Sequence, residues 1–123
     1  MKWKTLPKLF SIWKQPCSFL ILLQMLIYNV TVNIDDEVHE EWLQWMKSDH
    51  IPEVMKCGLF KSNVMLKVLA DDEGHTYSIQ YRCESEDKLK DYFENHAPRL
   101  QHEHTEKYKD KVVAFRTILE EVT

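Results

Sequence analysis

The sequence predicts an α+β fold: a four-stranded antiparallel sheet with helices on one face, in the order β-α-β-β-α-β. Three observations carry this. Four stretches alternate apolar and polar residues with period two, as half-buried strands do. The stretches between the outer and inner strands repeat apolar residues at helical spacing. The two middle strands flank a short polar turn and so read as a hairpin. That order is the split unit of ferredoxin-like folds.

The first strand spans 26–34. Tyr28, Val30, Val32 and Ile34 point one way, and Asn29, Thr31 and Asn33 the other. Asp35 and Asp36 can cap a helix, in which Val38, Trp42, Trp45 and Met46 form the apolar stripe. Pro52 suits the first turn of a short second helix, ended by Gly58. Residues 60–69 form the second strand, with Phe60, Val64, Leu66 and Val68 expected on its core face. After the turn at 71–74, residues 76–83 set Tyr77, Ile79, Tyr81 and Cys83 against Thr76, Ser78, Gln80 and Arg82. Ser85 can cap the next helix, with Leu89, Tyr92 and Phe93 as its stripe, and Pro98 opens a further turn continued by Leu100, His104 and Tyr108. The last strand, 112–122, is expected to turn Val113, Phe115, Thr117 and Leu119 inward. The other sheet face would then carry Asn29, Thr31, Asn33, Lys67, Ser78, Gln80, Arg82 and Arg116, with Met65, Val112, Ala114 and Ile118 among them. Such a mixed face is either solvated or closed against a second copy across a two-fold axis.

Composition narrows the function. The 123 residues are 44% hydrophobic and 29% charged, with 2 glycines and 4 prolines, a composition that folds. All 20 acidic residues fall in 25–123, beside 12 of the 16 Lys plus Arg, so this body carries a net charge of −8. That argues against a nucleic-acid partner and against docking on an anionic membrane. Cys17, Cys57 and Cys83 are an odd number at wide spacing, which reads as reduced thiols in a cytoplasmic protein.

Residues 1–24 stand apart. They carry four lysines, no acid and the start of an apolar run over 19–28. The segment superficially resembles a secretory signal, but no small-residue cleavage site follows. The run is also too short for a spanning helix. The expectation is that the domain comprises 25–123 and begins at Met25, with 1–24 a mis-assigned start. An export or membrane segment, or a disordered extension, are the alternatives.

Candidate chemistry centres on His50. With Asp49 it lies where the tryptophan helix meets the Pro52 turn. There a histidine can act as an acid–base or simply cap a helix end. Trp42 and Trp45, with Tyr28, Tyr77, Tyr81, Tyr92 and Phe93, can line an aromatic pocket or fill a core. Arg82 and Arg116, read onto the same sheet face, can grip a carboxylate or form ion pairs. His102 and His104 do not face each other on a helix and are read as a solvated face rather than metal ligands. No metal is expected, and no motif calls for a cofactor or nucleotide.

M-L-I-Y-N-V-T-V-N-I-D-D from Met25, E-W-L-Q-W-M-K at 41–47, H-I-P-E-V-M at 50–55 and V-A-F-R-T at 113–117 together resemble the bacterial domain of unknown function 4286 family. The similarity runs in order over about 25–123. It implies a branch of the dimeric α/β-barrel superfamily, whose relatives include cofactor-independent monooxygenases and muconolactone-type isomerases. A homodimer through the sheet face follows from the resemblance, but no activity and no catalytic residue. The leading expectation is a non-enzymatic module that binds a small molecule or a protein. A cofactor-free isomerase or monooxygenase-like enzyme acting on a small aromatic or planar acid comes second, with His50 as acid–base. A membrane-tethered accessory protein comes third.

Overall fold

A computed structural model describes residues 25–70 and 73–122. The expectations about residues 1–24, Cys17 included, and about Asp71 and Asp72 of the turn lie outside the described residues. The strands are β1 (Leu26–Ile34), β2 (Ser62–Lys67), β3 (His75–Cys83) and β4 (Val112–Glu120). They form one sheet in the order β2-β3-β1-β4, and every neighbouring pair is antiparallel. The helices are α1 (His39–Trp45), α2 (Ile51–Lys56), α3 (Glu86–Asn95) and α4 (Ala97–Lys107). This is the ferredoxin-like arrangement expected.

Local signals explain the helix ends. Ser85 caps α3 by accepting the Lys88 N–H at 3.2 Å. Pro98 sits in the first turn of α4, where no N–H bond is lost, and Pro52 in the first turn of α2. Gly58 follows α2 at φ +75°, the left-handed conformation that glycine adopts at little cost.

The phase of two strands corrects the sequence reading. β1 and β3 turn Tyr28, Val32, Ile34, Tyr77, Ile79 and Tyr81 toward the helices, as expected, and all are buried. In β4, Arg116 lies opposite Val30 and Ala114 opposite Val32, so Val112, Ala114, Arg116 and Ile118 face the helices. Val113, Phe115, Thr117 and Leu119 therefore lie on the open face. In β2, Met65 lies opposite Ile79 and packs against the core. Val64 and Leu66 lie opposite Gln80 and Ser78 on the open face, and Val68 just beyond β2 is exposed too. Lys67, opposite Tyr77, is on the helix side as well. β2 and β4 carry apolar residues in both alternating sets, so a one-residue slip leaves their pattern looking equally plausible. The consequence is an open face with a polar middle and apolar margins.

Candidate functional site

The helical run that begins at α1 does not end at His50. Residues Met46–His50 form a π turn in which the Ile51 N–H bonds to the Met46 carbonyl, and α2 follows directly. The helix-end reading of His50 is thus corrected. The turn has a geometric purpose. Trp42, Met46, His50 and Val54 are all buried and are spaced by four. In an α-helix each step of four drifts by about 40°. A wider π turn takes up that drift and keeps the four side chains on one line facing the sheet. Pro52, which has no N–H, sits where the ladder is already altered. Asp49 stays exposed and accepts the Ser48 hydroxyl at 2.7 Å, so it is not the partner of His50.

His104 meets this line from α4. It is buried, on the stripe with Leu100 and Tyr108, while His102 is exposed. The solvated-face reading therefore holds for His102 and fails for His104. The Trp42 indole N–H donates to His104 Nε2 at 2.9 Å. Trp45 lies over both imidazoles, with ring centroids 4.9 Å from His50 and 5.7 Å from His104, and the two histidines are 5.3 Å apart. Lys107 holds its ammonium 5.7 Å from the Trp45 ring.

The sheet supplies the opposite wall. Arg116 projects inward from β4 and donates from Nε to the Tyr28 hydroxyl at 3.3 Å. Tyr28 packs within a second aromatic group, 5.8 Å from Tyr81 and 5.6 Å from Tyr92. Between the walls lies a narrow cleft of about 20 Å³, lined among others by Tyr28, Met46, His50, Gln101, His104 and Arg116. The aromatic residues thus fill most of the core and leave a small cleft, rather than lining a roomy pocket.

Burial governs the titration of these groups. It lowers His50 to about 4, with the Arg116 charge adding to the effect. His104 is lowered to about 3, by burial first, then by His50 and Arg116. Burial pushes the phenols of Tyr28, Tyr81 and Tyr92 above their ordinary range. At neutral pH the cleft therefore presents two neutral imidazoles, protonated phenols and one guanidinium.

Of the expected site residues, the fold brings Tyr28, Tyr81, Tyr92, His50 and Arg116 to the cleft, and Trp42 and Trp45 to the histidine pair beside it. Arg82 is not there. It lies on the open face and pairs with Glu121 at 3.3 Å, so the two arginines are on opposite faces, contrary to expectation. Sequence reasoning missed Gln101 and the burial of His104. Only the spacing Leu100–His104–Tyr108 signalled the latter. A second histidine pair was also missed. His39 and His75 stack at 3.6 Å, with His39 Nε2 2.7 Å from the Tyr77 hydroxyl and His75 Nε2 2.6 Å from Asp36. Among the described residues no group of three or more His, Cys, Asp or Glu could hold a metal ion, and no helix is long and apolar enough to cross a membrane.

Comparison places this architecture. The family described as Domain of unknown function (DUF4286) matches residues 25–122. No curated protein matches the sequence. Among solved structures, an ethyl tert-butyl ether D (EthD) family protein from Bacillus halodurans superposes with a TM-score of 0.62 at 8% identity, covering 79% of this chain and 99% of that one. A candidate antibiotic biosynthesis monooxygenase from Bacillus cereus gives 0.57 at 16% identity, covering 80% and 94%. A dimeric ferredoxin-like protein from an uncultured marine organism gives 0.51 at 12%, covering 81% and 96%. At these identities the likeness is one of fold.

Proposed function

Since the chain belongs to the family of the Domain of unknown function (DUF4286), whose description names no reaction, we propose its role from its own site: a homodimeric module that binds a small molecule in the cleft between helices and sheet. The observation that carries this is the make-up of the cleft. It is an apolar space onto which a few polar groups converge, those of His50, Gln101, Arg116 and the Tyr28 hydroxyl, as ligand sites do. Binding is favoured over catalysis because His50, held near 4 in the free protein, is a weak base at neutral pH.

The apolar margins of the open sheet face support the homodimer. Val64 and Leu66 on one margin and Val113, Phe115 and Leu119 on the other are all exposed there, and exposed apolar patches rimmed by polar residues mark association sites. The dimeric neighbour supports the same reading. The free thiols of Cys57 and Cys83, held protonated by burial, fit a reducing, cytoplasmic setting.

The test is a screen of the full chain against neutral and charged metabolites, read by NMR shifts assigned to the cleft. Hits that move the signals of Val30, His50 and Gln101 are expected. If every hit moved only signals of the open sheet face, the cleft would not be the binding site.

A further inference from the structure

We propose that the depth of the cleft is the binding site of a single water molecule, which bridges the imidazole of His50 on the π turn to the side-chain amide of Gln101 on α4. The site belongs to the free protein. It goes beyond the small-molecule reading and does not depend on it. A larger molecule would reach this depth only through one polar atom set in the water's place.

Two buried polar atoms are left over by the fold at one place. His50 Nδ1 and Gln101 Nε2 are both out of solvent and meet no hydrogen-bond partner within the protein. Both residues line the same cleft. Leaving such atoms unpaired costs stability, and buried polar groups without a protein partner are commonly bonded to ordered water. The neighbouring side chains are already engaged. His104, one turn beyond Gln101 on α4 and 5.3 Å from the His50 ring, accepts the Trp42 N–H at Nε2. Asp49 faces solvent and takes the Ser48 hydroxyl.

Size selects the guest. The cleft has about 20 Å³ of room. One water needs about 10–15 Å³ on the same measure, and a second would need as much again. A wholly apolar space of that size stays dry. Here the walls carry His50 and Gln101, and Tyr28 lines the cleft as well, which meets the requirement of about two to four polar partners for a buried water. Most of the other lining residues, Val30, Val32, Met46 and Val54 among them, offer a water nothing, so its place is at the polar end.

The chemistry of the two atoms sets the orientation of the water. Burial lowers His50 to about 4, so at neutral pH one ring nitrogen accepts and the other carries the proton. The Gln101 N–H donates to the water oxygen. If His50 Nδ1 also donated, both water hydrogens would be left facing a largely apolar lining. With Nδ1 as acceptor one of them is bonded, and the ring proton of His50 sits on Nε2. The bridge then ties the π turn to α4, beside the tie that the Trp42–His104 bond makes from α1.

The experiment records NOE and ROE cross-peaks between water and the isotope-labelled full chain, with ¹⁷O relaxation dispersion of the solvent as an independent measure of long-lived waters. Expected are cross-peaks from water to the Gln101 side-chain amide and to the Val30 methyls, opposite in sign in the two spectra, as for a water that stays bound longer than the protein tumbles. The His50 ring should carry its proton on Nε2. Gln101→Leu should lose the Val30 cross-peaks and lower the ¹⁷O dispersion. His50→Phe should do the same, and it decides the matter if Gln101→Leu does not fold. Absence of the cross-peaks from the folded parent chain overturns the site. Cross-peaks that persist in both variants show a water held by other groups and overturn the bridge. A His50 proton found on Nδ1 overturns the orientation. Metabolite binding at the cleft without water cross-peaks in the free protein overturns this site alone. Water cross-peaks with no metabolite hit leave this site standing, and the small-molecule reading falls.

Discussion

Trp42 gives its indole N–H to Nε2 of His104 across the helix layer, at 2.9 Å and out of contact with water. The bond fixes a tautomer: an Nε2 that accepts must leave the ring proton on Nδ1. It also ties the π-turned helix to α4 at the level of His50. Trp42→Phe keeps the ring packing and deletes the donor. The buried Nε2 is then unsatisfied, which costs about 1–3 kcal/mol, with a little more from the lost ring volume. Chemical denaturation should register that loss, and ¹⁵N shifts of the His104 ring should show the tautomer no longer fixed. An unchanged midpoint would mean that water replaces the donor.

Acid should loosen the fold through the same pair. His50 and His104 hold pKa values of about 4 and about 3 in the native state, below the ordinary 6.5 of the unfolded chain. Between these values the unfolded state binds more protons than the native one, so stability rises with pH there. Their contribution is complete above about pH 6.5 and is lost as pH falls toward 4 and then 3. Denaturant midpoints measured at pH 7.5 and at pH 5 should differ by a few kcal/mol, on the order expected for two such shifts. The double variant His50→Phe/His104→Phe, though less well packed, should lose most of that pH dependence. Retention of the full slope would place its origin in other groups, His39 first, which burial also lowers.

The sequence exposed the frame more readily than the site. In β1 the polar set Asn29, Thr31 and Asn33 left one choice of face. In β4 both sets were apolar, and Arg116 looked like the residue to send outward, because arginine is seldom buried. It points inward instead, and that reversal brings Arg116 to His50. Nothing local announces the π turn. It becomes necessary only when Trp42, Met46, His50 and Val54 must all face one sheet. Gln101 lies beside the stripe of α4 and has no sequence signature at all. His104 could be read from its spacing to Leu100 and Tyr108, but its proximity in sequence to His102 suggested solvent.

The β2–β3 turn makes a local test of the fold. Gly74 has φ +76°, and a Cβ there would meet the Ile34 carbonyl oxygen at 2.8 Å. Asn33 braces the same spot by donating to the Glu73 carbonyl and the Thr76 hydroxyl, each at 3.0 Å. Gly58 has nearly the same φ but no atom within 4 Å of its Cβ position. Gly58→Ala should therefore cost only the left-handed strain, about 1 kcal/mol. Gly74→Ala adds a clash with backbone and should cost at least about 2 kcal/mol. Equal losses in thermal melts would show that the turn shifts to make room.

The open sheet face yields the sharpest test of assembly. Phe115 stands 67% exposed at the centre of β4, beside Val113 and Leu119, and its removal from water is worth about 2 kcal/mol or more. Val64 and Leu66 present a matching apolar margin on the far strand, β2. In the proposed dimer, a two-fold axis running between the sheets and along the strands would set each β4 over the partner's β2, so that the apolar margins would meet and the polar middles would face each other. Phe115→Glu puts a charge into that contact twice. Analytical ultracentrifugation should find the parent chain dimeric and the variant monomeric, with circular dichroism unchanged because no core contact is touched. Val64→Glu should act in the same way from the other margin. If both variants sediment as the parent does, the dimer forms elsewhere or the chain is a monomer, and the apolar margins need another occupant.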